Sequence, residues 1–208
     1  ESACSQTQPS AVGLPMAELA RRFAGHPRTD QLAVMRCYTP WGWRPTFDVF
    51  GLEHVEAARA RGQGCLLWVM PTVFGSVLSK RSLAEAGLAL HHLSREGHGS
   101  TSGSRLGQRL LTLPRRTLED RWLEERIRVP NRGAPPAAMR RIVELLGGGE
   151  AVTILVGANA TRTHRVPFLG GTMQASLGVP ELARQGQAVL LPTITVRTGT
   201  DRFCTIVE

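Results

Sequence analysis

Residues 65–70 (CLLWVM) put six apolar side chains in a row with no polar break, between Gly64 and Pro71. A strand with one wet face alternates, so an unbroken run this short fits a strand buried on both sides at the centre of a parallel sheet. Comparable runs follow at 88–94 (LALHHLS), 151–156 (AVTILV) and 188–196 (AVLLPTITV). Helical patterns separate them, at 51–61, 73–86, 135–146 and 173–186. The third is the clearest. It has Pro at its start, Met139, Ile142, Val143 and Leu146 on one face, and three glycines past its end. Strands alternating with helices predict an α/β fold, a mostly parallel central sheet with helices on both faces. The closing VR-TGTD-RF pattern predicts a hairpin. Upstream, 16–23 and 31–40 have helical spacing and 41–51 is aromatic and rich in turn residues, so 1–50 is expected to form an N-terminal helical segment ahead of one globular unit at 51–208. Residues 115–134 are highly charged and predict no element, and 158–172 are expected to form a long loop.

A chain of 208 residues suits one domain with a sizeable core. Its formal charge is +8, and Lys80 is the only lysine among 25 basic residues. Arginine forks bond phosphates and carboxylates bidentately, which points to nucleic acid, an anionic membrane surface or an acidic small substrate. With 5% aromatics and no zinc-finger or RNA-binding signature, nucleic acid is excluded from the expected partners. The four cysteines are scattered, without metal-ligand spacing, and Cys65 and Cys204 lie in apolar runs. They predict core thiols, a reducing cytoplasmic setting and no metal. No cofactor is expected either, since the Gly/Ser-rich residues 99–104 match neither phosphate-loop spacing. No stretch approaches the roughly 20 apolar residues of a membrane span. No basic region followed by an apolar one opens the chain at Glu1, so no signal peptide is expected.

Four blocks carry a resemblance. GLEHVEAARARGQGCLLWV begins at Gly51, and LALHHLSREGHG followed by SRLGQRLL begins at Leu88. GGGEAVTILVGANATRTHRVPFLGGT begins at Gly147, and LGVPELARQGQAVLLPTITVR ends at Arg197. In this order they resemble the lysophospholipid acyltransferase superfamily, in its lipid A lauroyl/myristoyl branch. The resemblance implies an acyltransferase-like α/β domain that takes an acyl group from a thioester, on acyl carrier protein or CoA. It also implies delivery to an anionic lipid or small anionic acceptor, and peripheral contact with the cytoplasmic face of the inner membrane. In that family a His-x4-Asp/Glu pair follows the first strand, the His deprotonating the acceptor hydroxyl and the acid orienting it. Here those positions fall on Pro71 and Ser76, or in a second register on Val73 and Leu78. No His, Asp or Glu occurs between Cys65 and Leu83.

The candidate site therefore rests on other residues. Arg95 matches the family's arginine after the second strand and is expected to bind an acceptor anion, with Arg162, Asn159 and Arg105 as further substrate-binding residues. His98, in the Gly/Ser loop, is the expected replacement base. Ser76 stands at the acid's position, but a serine cannot act as a base near neutral pH without a partner. His91 and His92 alternate across the second strand, so one of them is expected to be a hydrogen-bonded core histidine. His164 is a more distant candidate. The alternative is a non-catalytic acyl- or lipid-binding accessory protein.

Overall fold

The computed structural model describes residues 32, 35–37, 42–72, 75–95, 113–130, 135–156, 163–168 and 171–208. In chain order these form β1 (Thr46–Phe50), α1 (Leu52–Ala60), β2 (Cys65–Val69), α2 (Gly75–Glu85), β3 (Leu90–Arg95) and α3 (Leu113–Glu119). A 3-10 turn (Asp120–Trp122) leads to β4 (Glu125–Val129), α4 (Pro136–Gly147), β5 (Ala151–Leu155), β6 (Thr163–Phe168), β7 (Gly171–Ser176), α5 (Gly178–Gln185), β8 (Val189–Arg197) and β9 (Arg202–Val207).

Seven strands make one sheet in the order β1-β9-β8-β2-β5-β3-β4, while β6 and β7 pair only with each other. The five strands β8, β2, β5, β3 and β4 run parallel. β9 folds back antiparallel to β8, and β1 lies parallel to β9 at the edge. The run at 65–70 is apolar throughout because β2 is central and its two faces meet different helices. Leu66 packs with Ile142 and Leu146 of α4 and with Val179 and Leu182 of α5. Cys65 and Leu67 pack with Val55 and Ala58 of α1 and Leu83 of α2. The expected α/β sheet with helices on both faces is thus the observed one, and all four expected strands lie in it.

Several sequence expectations are corrected. The aromatic stretch before Gly51 ends in a strand, so the last residues of the 1–50 segment belong to the sheet. Phe47 there packs beside Phe203, at 6.0 Å between ring centroids. The charged stretch 115–134 contains helix, turn and β4, where Ile127 and Val129 face the core and Arg128 faces solvent. Edge-strand alternation hid among the arginines. The expected loop at 158–172 carries β6, and the expected helix at 173–186 begins only at Gly178, because residues 173–176 pair with 163–166. Cys65 is a buried free thiol as expected, but Cys204, also buried, is disulfide-bonded. The helix expected at 16–23 also lies outside them.

Gly51 joins β1 to α1 at φ 83°, in the left-handed region, and a Cβ there would lie 1.8 Å from the carbonyl oxygen of Val207. Gly87, at φ 89°, has open space around the same position. Gly87→Ala is expected to cost about 1 kcal/mol of backbone strain. Gly51→Ala adds a clash with β9, and its loss of unfolding free energy in urea should be clearly the larger of the two.

Candidate functional site

Parallel strands leave their ligand crevice at their carboxyl ends, where neighbouring connections depart in opposite directions. β2 and β5 are such neighbours. After β2 the chain passes through α2 on one face towards β3, whereas after β5 it passes through α5 on the other face to β8. Met70–Thr72, the start of α2 and the ends of β3 and β5 lie at these carboxyl ends.

The β2–α2 connection is a tight turn. Met70 N donates to Thr193 O (2.8 Å), Thr72 N to Met70 O (2.8 Å) and Gly75 N to Thr72 O (3.0 Å). The Thr72 hydroxyl donates to Thr195 O at 2.6 Å. A Cβ on Gly75 would come within 2.5 Å of Thr72 Oγ1, so only glycine lets α2 start this close. Pro71 is exposed and offers no side-chain donor or acceptor.

Ser76 is the second residue of α2, with its Oγ accepting from Arg115 Nη2 at 2.6 Å. Behind it is a buried ion cluster. Lys80 Nζ donates to Ser76 O (2.6 Å) and to Glu119 Oε2 (3.0 Å). Arg115 Nε donates to Glu119 Oε1 (3.0 Å), and Arg126 Nη2 to Glu119 Oε2 (3.1 Å). Arg126 also reaches Asp120 Oδ1 (2.6 Å) and Ser94 Oγ (3.2 Å). The Glu119 and Lys80 side chains are 1% and 2% exposed. Burial pushes the Lys80 amine below its ordinary value, and the nearby Glu119 carboxylate only partly opposes this. No sequence reading singled out Arg115, Glu119 or Arg126. The available signals were the Arg115–Glu119 spacing of four on a helix and the single lysine.

Arg95 ends β3 and is exposed. It follows Leu93 in the strand's alternation, which packs with the α4/α5 cluster, so Arg95 leaves the sheet on the face opposite Ser94 and Ser76. His92 is the hydrogen-bonded core histidine, with Nδ1 2.9 Å from Thr153 Oγ1. His91 instead lies between two carboxylates, 3.5 Å from Glu125 and 3.7 Å from Glu150. His164 is exposed on β6. His98, Arg105, Asn159 and Arg162 lie outside the described residues. Among the described residues no group of three His, Cys, Asp or Glu could hold a metal, and no helix is long and apolar enough to cross a membrane. No family model matches the chain, and no curated protein matches it either.

The chemistry of this cluster is testable by stability. Because the folded-state pKa of Lys80 is lowered, the unfolded chain binds more protons between that value and 10.5. Stability should therefore rise with pH towards 10.5 and fall as pH drops through the folded value. Chemical denaturation across this range should show the slope in the wild type and a shallower one in Lys80→Met. Glu119→Gln leaves buried cations without their carboxylate and should cost about 3–5 kcal/mol.

Proposed function

We propose that this chain is a divergent acyltransferase-fold protein that binds an acyl thioester, on acyl carrier protein or CoA, at the carboxyl ends of its parallel strands. An anionic lipid or small anionic acceptor would bind beside it. The observation that carries this reading is the sheet topology, in which the connections through α2 and α5 leave the neighbouring strands β2 and β5 on opposite faces. The four sequence blocks in family order, with Arg95 at the end of β3, support it. The turn after β2 supplies no base. Pro71 has none, and Ser76 has its oxygen turned to a guanidinium, which makes that oxygen less able to take a proton. Any transfer to a hydroxyl then draws its base from the 96–112 segment, with His98 as the candidate, whereas an amine acceptor needs less help.

The Ser76–Arg115 bond specifically favours a second reading, a non-catalytic acyl- or lipid-binding accessory protein. It uses the position of the family's catalytic acid to anchor structure. Attachment to membranes would in either case be peripheral and electrostatic, through arginines. The setting proposed is cytoplasmic, as the resemblance implies, and the disulfide at Cys204 stands against it, since disulfides persist in oxidising compartments.

Incubation with acyl-carrier-protein and acyl-CoA thioesters, with hydroxyl and amine acceptors in parallel, separates the readings. An enzyme consumes thioester; His98→Ala then slows hydroxyl acylation by about 10²–10⁴-fold, and Arg95→Ala raises the KM for an anionic acceptor. Full activity in His98→Ala removes the relocated base. Intact thioester, together with salt-sensitive binding to anionic vesicles, supports the accessory protein.

A further inference from the structure

We propose a second site, for a neutral polyhydroxyl ligand such as a sugar, at the opposite end of the sheet, where the C-terminal ends of α1, α4 and α5 converge. It is independent of the acyl-binding reading. An open cavity of about 440 Å³ lies there, lined by Arg61 and Gln63 beyond α1, Gly147 closing α4, and Gly186 and Gln187 beyond α5. Pockets that hold small ligands span roughly 300–1,000 Å³. The walls are fixed to one another without a ligand. Gly64 N donates to Leu146 O (3.1 Å) and Val189 N to Gly64 O (2.9 Å), which ties the start of β2 to α4 and β8. Arg61 Nε donates to Gln63 Oε1 (2.9 Å), and Gln63 Nε2 donates to Gln187 O (3.2 Å).

Glycine keeps the space open. A Cβ on Gly186 would lie 2.6 Å from Leu146 Cβ, so glycine there lets α5 close on α4. Gly147 has no such reason. A Cβ on it would meet no atom within 4 Å, and a helix favours alanine over glycine. What its missing side chain leaves is room in the cavity. Gln187, at φ 50°, is the one non-glycine among the described residues in the left-handed region.

The polar groups select the ligand. Three helix C-termini bring carbonyl oxygens and partial negative charge. Arg61 and Gln187 bring N–H donors, and no described residue accepts from the Arg61 terminal nitrogens or the Gln187 amide. A carboxylate has no proton for the carbonyls, and it meets three helix ends of its own sign. An ammonium has no lone pair for the N–H donors. A hydroxyl donates and accepts at once, so several hydroxyls on one ligand serve both sets. Leu146 is the single large apolar residue in the lining, too little to hold a hydrocarbon ligand.

Titration followed by ¹H–¹⁵N NMR tests the site, with glucose, methyl glucoside, inorganic phosphate and putrescine as probes. The sugars should move the Gly62, Gly147, Gly186 and Gln187 amide signals saturably, with a Kd of about 1 mM, as about three or four net hydrogen bonds imply. Glucose acting alone makes the ligand a free sugar, and methyl glucoside acting equally makes it a sugar unit that tolerates a glycosidic link. Gln187→Gly suits the left-handed backbone while removing the amide; it and Arg61→Met should each weaken sugar binding about 5-fold. Gly147→Leu should abolish binding by filling the space. Shifts of these signals with phosphate or putrescine and not with the sugars would overturn the proposal, as would no saturable shift with any probe. Undiminished sugar binding in Gly147→Leu and Gln187→Gly would overturn it too. The wild-type titration decides the matter even if a variant does not fold.

Discussion

The Glu119 carboxylate, 1% exposed, is held by cations from three different elements. Lys80 comes from α2, Arg115 from α3 itself and Arg126 from β4. Taking these charges out of water costs several kcal/mol per ion, which Coulomb attraction recovers only when every partner is in place. The arrangement meets that condition, because both carboxylate oxygens are engaged and the cations continue to Ser76, Asp120 and Ser94. Lysine suits its own place. Its compact ammonium serves a carbonyl and a carboxylate at once on the buried side of a helix, where a planar fork needs more room. The consequence is positional. Ser94 and Arg115 stand on either side of the 96–112 segment, and the cluster ties both to α2 and β4. The strand ends where a ligand would bind thus rest on a frame of fixed charges.

That frame changes what the first strand–helix junction can do. A histidine–carboxylate pair at a strand end needs its acid free to orient a base. Ser76 instead completes a guanidinium's hydrogen bonds. The polar character continues along the same face of the sheet, where Ser82 Oγ lies 2.7 Å from Thr205 Oγ1, and Thr205 Oγ1 lies 2.9 Å from Thr195 Oγ1. These hydroxyls are buried and mutually satisfied, so they fix α2 on the sheet without offering a proton acceptor to solvent.

The central architecture was legible because buried parallel strands announce themselves as apolar-rich runs, unbroken in β2 and interrupted only by histidine, serine, threonine or proline in β3, β5 and β8 before the closing arginine of β3 and of β8. Edge elements were not. In β4 the sequence ERIRV alternates, but its arginines make a half-buried strand resemble a charged loop, and in β1 the pattern is five residues long beside Pro45. The charge cluster was hidden for another reason. Lys80, Arg115, Glu119 and Arg126 are spread over 47 positions (80 to 126), and only the β3–β4 register and the docking of α3 on α2 bring them together. Arg95 was correctly placed at a strand end. That it faces away from Ser76 follows from counting alternation along β3, which a motif match does not do.

The two faces of the sheet consequently differ in kind at the same end of the same strands. On the α2/α3 side, fixed cations and hydroxyls surround Ser76 and Ser94. On the α4/α5 side, hydrocarbon surrounds Trp68, interrupted by one indole N–H. The exposed Arg95 also leaves the end of β3 on this second face. The hydrocarbon face depends on α4 and α5, whereas the turn after β2 leads into α2 on the other face, so substitutions at the two places should act independently on stability.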